Sequence, residues 1–475
     1  MLPVLLAVAA MTAAAPSAGG PAVSAPAVEE HAAPPAALEG RAAAVDRSPL
    51  QDRIDALPAG ATLTVEAGEY RGDLVIDRPL RLVGVGRPRL VGSGSGSVVR
   101  IRADDVTLEG FDIDGHEGGS LMRDSSGVHV AGRRALLRDL RIERALFGIY
   151  LYAADGAVVE RCRIRGIPGK TPGEKGSGIH LWNTRGFTLR DNDIALSRDG
   201  LYVQSSPGGL IAGNVARDLR YGLHYMYSDD NVFEDNTFAN GAAGAALMYS
   251  RRITFRRNRL VHNRGFASAG LLLKACDEVT AEDNLIADNA RGLFLEGSYG
   301  NVIRRNLIAG SDRAIVLYDS CAGNRITGNA FIGNLTPLDL VGRRTDTAFD
   351  GNYWSGNREP DLDGDGVSDR PYRLSDVFDH LRGNLLAADL MAQGSAALAL
   401  AAAEEAFPVL QPTTAIDPRP LARPPRLAAV PVSEEKDAGA SWVAAAAAAL
   451  VAAAGTAILA RGARRPAAPA VGDAR

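Results

Sequence analysis

FTLRDNDIALSRDGLYVQSSPGGLIAGNVARDLRYGLHYMYSDDNVFEDNTF, residues 187–238, holds the same eight-residue pattern three times. FTLRDNDI (187–194), GLIAGNVA (209–216) and NVFEDNTF (231–238) place Asn192, Asn214 and Asn236 at the sixth position, 22 residues apart. Downstream the pattern returns in ITFRRNRL, VTAEDNLI, NVIRRNLI, NRITGNAF and TAFDGNYW, with Asn258, Asn284, Asn306, Asn329 and Asn352. Upstream, VTLEGFDI, ALLRDLRI and AVVERCRI put Phe111, Leu140 and Cys162 at that position. A second motif interleaves, a small residue followed by apolar, variable, apolar: GLYV (200–203), GLHY (222–225), GAAL (244–247), GLLL (270–273). A fixed period of this length built from short alternating strands is the mark of a solenoid, whose units bury their apolar rows only by stacking. Glycine, asparagine and alternation in each half-repeat reject a helical solenoid. The expectation is an all-β chain: a right-handed parallel β-helix of about ten coils over residues 60–355. The asparagines form an internal ladder, and LQDRIDAL (50–57) forms a short amphipathic helix over the open end.

Composition agrees. The chain has 475 residues, 52 of them glycine, with 6% aromatics and a net charge of -4. Without a basic excess, nucleic acid is not an expected partner. Residues 1–18, apolar and ending in small side chains, are expected to be a signal peptide, and 19–45, rich in Ala and Pro, a linker. The β-helix is assigned to 46–355 and a C-terminal extension to 356–425. Residues 438–460 carry no charge and precede Arg461, Arg464 and Arg465. That is the pattern of a transmembrane helix with a cytoplasmic tail, although an Ala-rich tail has the same composition. Cys162, Cys276 and Cys321 are not expected to form a disulfide, since equivalent positions two coils apart lie about 9.6 Å apart.

Coil length varies in one place. GHEGGSLMRDSS (115–126), GIPGKTPGEKGS (166–177) and the RGFAS stretch (264–268) all fall between a ladder position and the next Gly block, so they emerge at one corner. Beside that corner runs an outward column: His129, Tyr150, His180, Tyr202, His224, Ala246, Leu272, Phe294 and Val316. Two residues further on, the next row contains Met226 and Met248 on adjacent coils. One coil separates these methionines by about 4.8 Å, and His224 lies about 6.6 Å along the strand from Met226. Imidazole with thioethers suits a soft ion, Cu(I) above all. The alternatives are an apolar docking surface and a sugar-stacking groove of a polysaccharide lyase or hydrolase. Such an enzyme needs paired carboxylates or a calcium cluster with a base beside the aromatic column, and only Glu296 stands there. Farther on, DLDGDGVSD (361–369) sets Asp361, Asp363, Asp365 and Asp369 at calcium-loop spacing, with Tyr372 where the bidentate glutamate belongs.

GLHYMYS (222–228), GNYWSGNREPDLDGDGVSDRPY (351–372) and the run DHLRGN…AFPVLQP…DPRPLARPP (379–425) resemble the signature stretches of NosD proteins. The resemblance spans roughly residues 45–425. It implies a periplasmic β-helix protein of nitrous oxide reductase maturation, used in denitrification, that acts as a copper-binding metallochaperone and not as an enzyme. Its implied partners are an ABC transporter permease and ATPase, a copper-donor lipoprotein and nitrous oxide reductase; copper or sulfur is the implied cargo. The resemblance carries His224 and Met226 into the site, and the geometric argument adds Met248. The expected location is extracytoplasmic, with the C-terminal helix as a membrane anchor.

Overall fold

The computed structural model describes residues 48–265, 268–342, 344–374 and 415–427, with residues 395 and 399. The expected signal peptide, linker and C-terminal span (1–18, 19–45 and 438–460) lie outside the described residues. Among the described residues no helix is long and apolar enough to cross a membrane.

Each coil gives one short strand to each of three parallel sheets, which hold 13, 13 and 12 strands. The first sheet opens at Thr62–Val65 and the second closes at Tyr353–Trp354. There are thirteen coils, against about ten expected, because the earliest ones have neither the asparagine nor the regular glycine block that makes the later ones visible. Leu, Ile, Val and Phe on the inward face of every strand form one continuous core from Leu50 to Trp354 and on to Ala415.

Local backbone rules explain the cross-section. The residue just before each ladder position turns the chain from the first sheet to the second in a left-handed conformation: Asp191 at φ 55°, Asp235 at φ 58°, Asp283 at φ 56°, Gly328 at φ 63°. A left-handed residue that is not glycine costs about 1–2 kcal/mol, and the ladder beside it offsets that cost. The Nδ2 of Asn236 donates to Asn258 Oδ1 and to Ile211 O, each at 2.9 Å. Its Oδ1 accepts from the Asn214 backbone N–H and Nδ2 at 3.0 and 2.9 Å. The same bonding runs unbroken from Asn192 to Asn352. The glycine that opens the second motif has a different reason. A Cβ on Gly222 would stand 2.7 Å from the Gly244 carbonyl oxygen of the next coil, so only glycine lets the coils close up there.

Both ends of the stack are closed by side chains. The expected cap is helix α1, Pro49–Asp55, with Leu50 and Ile54 buried. From it the Gln51 amide accepts from Val75 N–H at 2.8 Å and donates to Val75 O at 3.0 Å, imitating a neighbouring strand. At the far end Asp417, fully buried, takes the place of the next ladder asparagine. It accepts from Asn352 Nδ2, Asn352 N–H and Trp354 Nε1 at 3.0, 2.9 and 3.0 Å.

Candidate functional site

The outward column forms in the expected register. His129, Tyr150, His180, Tyr202, His224, Ala246, Leu272, Phe294 and Val316 pair in series across the third sheet. Leu223 and Tyr225, the alternate residues on either side of His224, point into the core. All three variable-length segments join the second sheet to the third, which is the predicted corner: Asp112–Asp114 to Ser126–Val130, Arg163–Arg165 to Ile179–Trp182, and Arg259–Val261 to Ala269–Asp277.

Solvent access differs from the sequence-based expectation of an exposed site. His224 is 9% exposed, Met226 4% and Met248 6%. Upstream in the same row, Leu121 and Ile167 from the inserted segments pack onto Phe147 and Tyr150. The rings beneath are stacked coil upon coil, His129 on Tyr150 at 5.3 Å, Tyr150 on His180 at 4.4 Å and His180 on Tyr202 at 4.2 Å. Burial, helped by Arg100 and Arg102, pushes the His129 imidazole down to about 4.

The strand register sets His224, Met226 and Met248 beside one another on two adjacent coils. Met226 pairs directly with Met248, and His224 with Ala246, one residue pair away. Met226, Ala246 and Met248 form a small apolar cluster of their own with Leu272 at its edge, separate from the main core. Ala246, the smallest side chain of the row, stands between His224 and Leu272 and is buried. The cysteines take no part. All three are buried and unbonded, and burial pushes the Cys162 and Cys276 thiols up to about 12.

Sequence reasoning missed what holds His224. Asp199, on the preceding coil, is fully buried. Arg220 donates to it from Nε at 2.9 Å and from Nη2 at 2.7 Å. The His224 Nδ1 lies 3.3 Å from Asp199 Oδ2 and 3.4 Å from Arg220 Nη2. Burial works against ionisation of Asp199, yet the hydrogen bonds from His224 and Arg220 win and hold its carboxyl well below the usual carboxylate range. A signal existed. In the row that reads Ser126, Phe147, Ser177, Asp199, Tyr221, Ala243, Ala269, Asp199 is the sole acid.

Three of the four loop aspartates converge. Ligand oxygens of Asp361, Asp363 and Asp365 lie within 4.8 Å of one another. The Asp361 carboxylate also accepts from the Gly364 and Gly366 backbone N–H groups, at 2.8 and 3.1 Å. Asp369 is not in that group; its Oδ2 accepts from the Leu362 N–H at 2.8 Å and so pins the loop.

A family model described as "Periplasmic copper-binding protein (NosD)" matches residues 166–359, the coils that contain this site. A "Probable ABC transporter binding protein NosD" of Pseudomonas aeruginosa is 32% identical over 392 residues, covering 78% of this chain and 91% of that protein. The chain belongs to the NosD family. A NosD relative of the same description from Stutzerimonas stutzeri is 32% identical over 380 residues, covering 76% of this chain and 86% of its own length. Among solved structures, a family 28 exopolygalacturonase of Yersinia enterocolitica superimposes on this NosD chain with a TM-score of 0.51 at 12% identity, covering 64% of this chain and 74% of the other. The A-module of the mannuronan C-5 epimerase AlgE6 of Azotobacter vinelandii gives 0.50 at 14% identity, over 63% and 93%. At such identity the likeness is one of fold alone.

Proposed function

We propose that this NosD chain is an extracytoplasmic, non-enzymatic accessory protein of nitrous oxide reductase maturation. It works with an ABC transporter, takes Cu(I) from a copper-donor lipoprotein and passes it on for the copper-sulfide centre of the reductase. Its site is His224, Met226 and Met248. The observation that carries this reading is the register that sets one imidazole and two thioether side chains on adjacent coils beside Ala246. Neutral nitrogen and sulfur donors favour a soft monovalent ion, and three such ligands hold it weakly enough for ligand exchange to a stronger acceptor. Because the donors are nearly closed to solvent, exchange needs a partner that displaces neighbouring side chains, which ties release to docking.

The test is an anaerobic Cu(I) titration of the full chain against a competing chelator, beside the His224→Ala, Met226→Ala, Met248→Ala triple variant. The reading expects the variant to lose at least tenfold in affinity; equal affinity removes the site. Asp361, Asp363 and Asp365 are read as a weak calcium loop with a structural task, given the missing ligand at Tyr372. Millimolar calcium should then raise the melting temperature of the chain but not of its Asp361→Asn, Asp363→Asn variant.

A further inference from the structure

Of the five consecutive rings from His129 to His224, only His224 does not lie flat in the stack. The interplanar angles from His129 to Tyr202 are 7°, 8° and 14°, whereas His224 stands at 83° to Tyr202. Its Nδ1 edge is turned back toward Asp199 on the preceding coil, 3.3 Å from Oδ2; Arg220 Nη2, which can only donate, stands 3.4 Å from the same nitrogen but makes its shorter contact, 2.7 Å, with that Oδ2. Asp199 is in turn gripped by both nitrogens of one edge of Arg220, whose guanidinium lies 4.5 Å over the Tyr221 ring. Arg198 adds a second cation, 3.4 Å from Asp199 Oδ2. A buried ion pair is a poor way to gain stability, because well-packed apolar residues do as well or better. Here the pair does something packing cannot do, which is to single out one nitrogen of one imidazole. The other nitrogen, Nε2, has no hydrogen bond among the described residues.

We infer that Asp199, clamped by Arg220, is the positioning residue of the copper site: it accepts the Nδ1–H of His224 and so leaves Nε2 as the nitrogen offered to the ion. The inference rests on the proposed ligand set. A carboxylate behind a ligand histidine fixes the tautomer and the ring orientation and makes the free nitrogen a better donor; removing such a partner typically costs 10–100-fold in metal affinity. The device also settles what Asp199 is not. With its oxygens taken up by Arg220 and His224 it does not join the donor set, which stays neutral, one nitrogen and two sulfurs. Ions that seek oxygen ligands are disfavoured, and Cu(I) is favoured.

The experiment uses the full chain, with isotope-labelled histidine and Cu(I) as the probe. In the unmodified chain the His224 imidazole, assigned by its loss in His224→Ala, should appear as the Nδ1–H tautomer, with Cu(I) shifting Nε2. An Nε2–H tautomer overturns the inference without any variant having to fold. The Asp199→Leu, Arg198→Met, Arg220→Met variant leaves no charge of this cluster stranded. It should lose the fixed tautomer and bind Cu(I) 10–100-fold more weakly, and Asp199→Asn should fall between. Wild-type affinity in both overturns the positioning role while the ligand set stands. Wild-type affinity in the triple ligand variant instead overturns the ligand set, and the positioning role with it.

Discussion

Ala246 shows what one residue contributes to the proposed site. Its neighbours along the row are His224 and Leu272, and the methionines sit beside it. Ala246→Phe keeps all three donor groups but forces a large ring into the buried cluster beside them, at an overpacking cost of roughly 1–3 kcal/mol. Cu(I) affinity should fall at least tenfold while far-ultraviolet circular dichroism stays unchanged. Retained affinity would mean that the ion sits elsewhere. At this scale the sequence was legible where two periods, two residues along a strand and one coil across it, fix a position. That arithmetic gives the register shared by His224, Met226 and Met248. It could not show Asp199, whose carboxylate meets His224 diagonally across coils while Arg220 grips it, nor that an outward row is shielded from water. Both depend on where side chains of unequal length finish, which no repeat encodes.

At the scale of an element, the asparagine ladder was fully legible and its ending was not. Residue 417 lies far along the chain from Asn352, in a two-residue strand, Ile416–Asp417, paired with Tyr372–Arg373. A ladder of amides alternates donor and acceptor; its last member needs a group that only accepts, and a carboxylate is that group. Asp417→Ala leaves Asn352 N–H, Asn352 Nδ2 and Trp354 Nε1 buried without their acceptor, and each such loss costs about 1–3 kcal/mol. Because coils are coupled chiefly to their neighbours, hydrogen exchange should quicken over residues 324–354 and stay protected over residues 62–114. Uniform loss of protection would show that the stack unfolds as one body. The aromatic row makes a second prediction. The His129 imidazole is held at about 4 in the folded chain, against about 6.5 when unfolded. Between those values the unfolded chain binds a proton that the folded chain refuses, so stability is full above about pH 6.5 and falls as pH drops toward 4, by at most ~3 kcal/mol. Urea unfolding of the metal-free chain at several pH values should show this slope, and His129→Phe should flatten it.

Across the whole molecule, the first sheet carries a charge pattern that gives the coils an order. Glu234, Arg256, Glu282 and Arg304 pair in series. Asp235, Arg257, Asp283 and Arg305 follow them at the corner. Acidic coils thus alternate with basic ones, joined by Arg256–Glu234, Arg257–Asp235, Arg304–Glu282 and Arg305–Asp283 ion pairs at 2.7, 2.9, 2.7 and 2.9 Å. Exposed pairs of this kind are each worth about 0–1 kcal/mol, too little to hold the fold but enough to penalise a wrong neighbour. Deleting the single coil 254–279 would set Glu234 and Asp235 against Glu282 and Asp283. Deleting both coils, 254–301, would set them against Arg304 and Arg305 and restore the alternation. Since salt screens exposed charges, the single-deletion chain should become more stable as salt rises, and the double-deletion chain should not. Both deletions keep His224, Met226 and Met248, but the double deletion shortens the rod by about 10 Å. If the rod spans the distance between transporter and acceptor, the double-deletion chain should still bind Cu(I) yet fail to restore reductase activity in cells that lack the intact chain. Full restoration would make the local site sufficient and the length of the stack irrelevant to delivery.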